Sequence, residues 1–96
     1  MTDVIGAAVT ALNEKLSGGG FDGTAKFVIE DEGAIMLDDA GARPGDEAAD
    51  VTMTADTDTF RAILDGALNP TAAFMSGRLQ IAGDMGAAMR LGSVLS

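Results

Sequence analysis

Apolar and polar positions alternate along this chain with two different periods, and each period predicts a different kind of element. From Thr2 to Leu16 the period is helical. Val4 or Ile5, Ala8, Val9, Leu12 and Leu16 fall near one stripe, while Asp3, Asn13 and Glu14 fall off it. Ser17-Gly18-Gly19-Gly20 is expected to end that helix. From Thr24 to Glu30 the period drops to two, with Ala25, Phe27 and Ile29 on one side of a strand. Asp31-Glu32-Gly33 reads as a hairpin turn, and Ala34 to Asp38 as the return strand with Ile35 and Leu37 facing inward. Residues 40–48 mix Gly, Pro, Asp and Glu without a period and predict an exposed loop; a short strand there is not visible in the pattern. Val51, Met53 and Ala55 then alternate with Thr52 and Thr54, giving a strand with one apolar and one hydroxylated face.

The second half of the chain is denser. Asp56 or Thr57 suits the cap of a helix that carries Phe60, Ile63, Leu64 and Ala67 at helical spacing. Asn69 suits a second cap, with Pro70 at the first helical position and Gly77 as the stop. Arg78 to Ala82 follow as a strand in which Leu79 and Ile81 alternate with Arg78 and Gln80. Gly83 turns the chain, and Asp84 can cap a last helix over residues 85–95, where Met85, Ala88, Met89 and Leu95 make a broad stripe. Helices interleaved with short strands predict one sheet under a helical layer, with the Thr- and Lys-bearing face of the sheet wet. The unit around residues 69–89 presents Phe74, Met75, Leu79, Ile81, Met85 and Met89, none of them reactive. Such a lining suits holding an apolar molecule better than breaking bonds.

The order of these pieces resembles the sterol carrier protein 2 (SCP-2) family. The residues that carry the resemblance are Ala49-Asp50-Val51-Thr52-Met53-Thr54, Phe60-Arg61-Ala62-Ile63-Leu64 and Gly66-Ala67-Leu68-Asn69-Pro70. They continue as Ala73-Phe74-Met75-Ser76-Gly77-Arg78-Leu79-Gln80-Ile81-Ala82-Gly83 and Met85-Gly86-Ala87-Ala88-Met89-Arg90-Leu91. The match is close from Ala49 to Leu91 and loose before it. It implies an α+β fold: one mostly antiparallel sheet of four to five strands, covered on one face by helices and enclosing an apolar tunnel. The lining expected for that tunnel is Phe60, Ile63, Leu64, Phe74, Met75, Leu79, Ile81, Met85 and Met89. Composition alone assigns the five Met residues after the first, Met36, Met53, Met75, Met85 and Met89, to filling the core. The resemblance moves Met75, Met85 and Met89 to the pocket and leaves Met36 and Met53 open.

Ninety-six residues predict a single domain over the whole chain, 1–96. A formal net charge of −9 argues against nucleic-acid binding, which rests on neutralising phosphates, and against stable anchoring on anionic membrane. It favours solubility and a monomer. There is no run of eighteen apolar residues and no basic–apolar signal segment at Met1-Thr2-Asp3-Val4. The ending Val94-Leu95-Ser96 lacks the peroxisomal Ser-Lys-Leu address. With zero Cys, a reducing cytoplasmic setting is expected.

Candidate chemistry is sparse. There is no His and no Cys, so the common proton shuttle and the usual zinc ligands are missing, and no Ser has a His to activate it. Asp38-Asp39 and Asp46-Glu47 fall in turns or loops. Asp56-Thr57-Asp58 opens like a calcium loop, but the sixth position is Arg61 and the twelfth Ala67, where Gly and Glu are needed. Gly18, Gly20 and Gly23 fit Gly-x-Gly-x-x-Gly, yet follow a helix and precede a strand, the reverse of a phosphate loop. The sequence therefore predicts no enzyme, no metal and no cofactor. It predicts a domain that binds, and can transfer, a fatty acid, fatty acyl-CoA or sterol-like lipid. The competing reading is an accessory module whose apolar stripe meets a protein partner.

Overall fold

The computed structural model describes residues 3–16 and 20–95. The helix stop expected at Ser17-Gly18-Gly19 lies outside the described residues. The elements run α1 (Val4–Lys15), β1 (Ala25–Ile29), β2 (Gly33–Asp38), β3 (Gly41–Pro44), β4 (Val51–Ala55), α2 (Thr57–Leu64), α3 (Pro70–Met75), β5 (Gln80–Gly83) and α4 (Met85–Leu95). The strands form one sheet in the order β3-β2-β1-β4-β5. Every neighbouring pair is antiparallel except β1 and β4, which run parallel from Ala25↔Val51 to Ile29↔Ala55.

Period-two patterning puts one row of side chains in the core. Ile35, Phe27, Met53 and Ile81 are register neighbours across β2, β1, β4 and β5. Leu12 of α1, Phe60 and Ile63 of α2, Ala73 of α3 and Leu91 and Leu95 of α4 pack with that face in one core. All four helices thus lie on the same side, as a sheet with one apolar face requires. In α1 the buried positions are Ala8 and Leu12, with Val4, Ile5, Val9 and Leu16 partly buried around them. The α4 stripe differs from the expected one. Ala87, Ala88, Leu91 and Leu95 face the core, whereas Met85 and Met89 are exposed.

β3 is the element the pattern hides. It lies at the sheet edge beside β2, and the side chain of Asn13 in α1 ties it down. The Ala42 N–H donates to Asn13 Oδ1 at 2.9 Å, and Asn13 Nδ2 donates back to the Ala42 carbonyl at 3.1 Å. From β3 the chain must pass β2 and β1 to reach β4. Residues 45–50 cross on the outer face, away from the helices. Met36 points outward there yet is only 2% exposed, because the crossing covers it. Its sulfur accepts from the Glu47 N–H at 3.4 Å. Lys26 Nζ holds Asp46 at 2.9 Å. The outer face is therefore partly covered rather than fully wet.

Candidate functional site

The site is assembled by the unit from Asn69 to Leu95. Asn69 Oδ1 accepts from the N–H groups of Thr71 at 2.8 Å and Ala72 at 3.4 Å, and Pro70 opens α3 without a donor to satisfy. After six residues Gly77 takes a left-handed φ of 81°. The N–H groups of Arg78 and Leu79 then both turn back onto the Ala73 carbonyl, at 2.9 and 3.1 Å. The chain enters β5 at once and pairs with β4. At its end Gly83 has φ 106°, and a Cβ there would strike the Asp50 carbonyl, so only glycine fits. Asp84 donates its N–H to that carbonyl at 2.8 Å, and its Oδ1 accepts from the Gly86 N–H at 2.9 Å, starting α4.

This path leaves an open cleft of about 340 Å³ between α3, α4 and the sheet. Met53 and Ile81 contribute from the sheet, Pro70 and Phe74 from α3, and Met85, Ala88, Met89 and Gly92 from α4. Asn69, Thr71 and Ser93 are its polar lining. Ala88 and Gly92 are small residues one helical turn apart, which is why the helix leaves space there. A second cleft, of about 230 Å³, lies between α1 and α2. Ala7, Ala8 and Ala11 form one wall, Phe60 and Leu64 the other, with Arg61 and Asp65 also lining it. The two clefts share no lining residue.

The nine residues expected to line a single tunnel are distributed over this arrangement. Phe74, Ile81, Met85 and Met89 meet in the α3–α4 cleft. Phe60 and Leu64 line the α1–α2 cleft instead. Ile63 and Leu79, each 2% exposed, are core side chains and line neither. Met75 is 81% exposed on α3 and also lines neither. Of the two undecided methionines, Met53 lines the α3–α4 cleft and Met36 lies under the crossover. Sequence reasoning missed Met53, Ala88 and Gly92. The shared face of Met53 and Phe27 was legible in the alternation, whereas the small residues at 88 and 92 carry little hydrophobic signal of their own.

The electrostatics around these clefts are mild. Thr59 is the only buried polar or charged residue among the described residues. Asp38 is held below the usual carboxylate range, first by its hydrogen bond from Arg43 (2.7 Å between Oδ2 and Nη1) and then by the Ala40 N–H. Arg43 is raised correspondingly. Asp56 is lowered chiefly by the Thr59 N–H, which donates to its Oδ1 at 2.7 Å as the α2 cap. Each shift is explained by an ion pair or a helix cap. Among the described residues no three carboxylates are grouped to hold a metal ion, and no helix is long and apolar enough to cross a membrane.

A sequence model of the SCP-2 sterol transfer family matches residues 8–96. The chain belongs to this family. Hydroxysteroid dehydrogenase-like protein 2 of Danio rerio is 42% identical over 82 residues, 77% of this chain and 20% of that protein. The SCP-2 chain thus spans about a fifth of the length of that curated relative. The sterol carrier protein domain 2 of Helicoverpa armigera superposes with a TM-score of 0.76 at 22% identity, covering 97% of this chain and 85% of the other. Sterol carrier protein 2 of Aedes aegypti, solved in complex with the C16 fatty acid palmitate, gives 0.78 at 19% identity, covering 100% and 97%. At such identities the likeness carries the fold. The SCP-2 architecture expected from the resemblance is the one found: five strands, mostly antiparallel, and four helices. Its apolar space is divided between two clefts where a single tunnel was expected.

Proposed function

We propose that this SCP-2 domain binds and passes on a lipid, without catalysis, in the cleft between α3 and α4. One observation carries the reading. The large hydrophobic side chains that stand exposed among the described residues are Phe74, Met75, Met85 and Met89, and three of these four line that one cleft. A surface otherwise rich in acids leaves its apolar groups in the open only at this place, as a binding site does. The palmitate complex of the Aedes aegypti relative supports a fatty acid as ligand, and the same apolar lining suits a fatty acyl-CoA or a sterol-like molecule.

The mechanism is partition. Each methylene moved from water into the cleft contributes about 0.8 kcal/mol. About ten of them give roughly 8 kcal/mol before association costs. Met53, Met85 and Met89 are unbranched and adapt to chains of different shape, so selectivity between homologous lipids is low. Ile63 and Leu79 belong to the packed core, and Phe60 and Leu64 line the separate α1–α2 cleft. The polar residues Asn69, Thr71 and Ser93 suit the head of an amphiphile. A chain without His or Cys lacks the commonest proton shuttle and thiol nucleophile, and the side chains lining the α3–α4 cleft carry no ionisable group. The same reading makes the domain a monomer with a small apolar partner and no nucleic acid.

Titration of the purified chain with a fluorescent fatty acid tests this. Saturable, one-site uptake that unlabelled palmitate displaces is the expected result. No uptake, together with concentration-dependent self-association or a co-purifying protein, would instead favour the accessory-module reading.

A further inference from the structure

We propose that the surface made by Phe74, Met75, Met85 and Met89 is the face that lies on a lipid bilayer, so that the α3–α4 cleft opens directly onto the membrane. The inference rests on the lipid-binding reading and names the partner of the same site. It is drawn from where the charges and the exposed apolar groups lie relative to each other.

The net charge of −9 is distributed unevenly. Residues 1–68 carry fourteen of the fifteen acids against Lys15, Lys26, Arg43 and Arg61, a balance of −10. Residues 69–96 carry Arg78 and Arg90 against Asp84 alone, a balance of +1. The segment freed of acids is the one that bears the exposed apolar side chains: Met75 at 81%, Met89 at 75%, Met85 at 49% and Phe74 at 42%. Asp22 and Asp50 also lie near the start of α4. Arg90 Nη2 donates to the Asp22 carbonyl there at 3.4 Å, and Asp50 accepts from the Thr24 N–H. Chain chemistry and charge thus point the same way.

A bilayer fits this face better than a second copy of the chain does. Two copies would bring together two bodies of −9 each. A bilayer of zwitterionic lipid presents no such field. At physiological ionic strength the Debye length is about 8 Å. The molecule measures 33 × 27 × 23 Å, so charges farther than about one Debye length from the α3–α4 face act weakly on a neutral bilayer. Flexible methionines and one phenyl ring suit the irregular boundary between headgroups and acyl chains. A lipid would then leave the bilayer through the cleft without crossing water.

The test is co-sedimentation of the full chain with phosphatidylcholine vesicles, with and without phosphatidylserine, alongside fluorescent fatty acid uptake in vesicle-free buffer. Met75 lines neither cleft, so Met75→Asp is expected to keep its melting temperature and its uptake while vesicle binding falls about tenfold or more. Arg78→Glu is expected to weaken binding to the phosphatidylserine vesicles selectively. Vesicle binding by Met75→Asp equal to that of the wild type would overturn the proposal. So would a wild-type chain that takes up fatty acid but binds neither vesicle; that result would leave the lipid-binding reading standing. A dimer in vesicle-free buffer that Met75→Asp dissolves would identify the face as a self-interface and also overturn it. Vesicle binding without fatty acid uptake would do the reverse, supporting the membrane face while the ligand reading fails.

Discussion

Phe27 of β1 and Phe60 of α2 meet edge to face, with ring centroids 5.0 Å apart and planes inclined at 74°. The pair joins the centre of the sheet to the helical layer, and both rings are almost fully buried. Aromatic pairs of this geometry add about 0.5–1.5 kcal/mol to the area they bury. Phe60→Ala should therefore destabilise the fold by about 3–5 kcal/mol, read as a shifted urea midpoint. A loss below about 1 kcal/mol would mean that the α1–α2 cleft beside it collapses freely to fill the gap.

Phe74 behaves differently because it is 42% exposed at the edge of its cleft. Its full-core counterpart would cost about 3–5 kcal/mol on truncation to Ala. Here stability should fall by only about 1 kcal/mol, while fatty acid affinity drops about tenfold. Calorimetry and ligand titration on the same Phe74→Ala sample separate the two effects. Unchanged affinity would remove Phe74 from the site.

The last helix is expected to act as the moving wall. Gly86 and Gly92 each cost α4 about 1 kcal/mol relative to Ala. Amide exchange over residues 85–95 should be faster than in β4 without ligand, and should slow when Met85 and Met89 close on a bound chain. A Cβ at Gly92 would meet nothing within 4 Å, so Gly92→Ala should slow this opening about fivefold. Equal exchange of α4 with and without saturating palmitate would rule the moving wall out and leave the cleft intact.

Acid sensitivity follows from Asp56 and Asp38. Both are lowered in the folded chain from an ordinary value of 3.8, Asp56 by the Thr59 N–H and Asp38 by Arg43. A lowered folded value favours the charged form in the fold. The stabilisation is then fully present above about pH 4 and is lost as the pH falls through the folded values. The melting temperature should stay flat from pH 7 to about pH 5 and decline below pH 4. Asp56→Ala should melt earlier at pH 7 and show a shallower acid decline. A parallel decline in variant and wild type would assign the acid sensitivity elsewhere.

Much of the fold was legible because its elements are either strictly alternating or capped. Val51–Ala55 alternates strictly, Ala25–Ile29 does so with Val28 as its one exception, and Asp56, Asn69 and Asp84 each cap the helix they precede. β3 was not legible: Gly41-Ala42-Arg43-Pro44 has no apolar period and contains both helix- and strand-breaking residues. It is a strand because β2 offers an edge and Asn13 completes its hydrogen bonds. The parallel pairing of β1 and β4 was equally silent, since alternation fixes which face is buried but not which neighbour is beside it. The site was legible in part for a related reason. Helical spacing marks Phe60, Ile63 and Phe74, and strand alternation marks Leu79, alike as facing inward or toward the sheet. Whether the space opposite is filled depends on residues such as Ala88 and Gly92, whose side chains leave no hydrophobic signal of their own.

The Asn13 amide has a wider consequence. Its C=O and NH₂ take the two positions on Ala42 that an incoming sixth strand would need, so a side chain stands where a backbone would dock. Edge strands left bare are templates for stacking one molecule onto the next. At Ala42 that template is filled from within the same chain, by a residue whose amide copies the donor and acceptor of a peptide group. Docking of a further strand at Ala42 is thereby opposed, and the exposed apolar groups of α3 and α4 find no bare β3 edge at that residue to join in fibre growth.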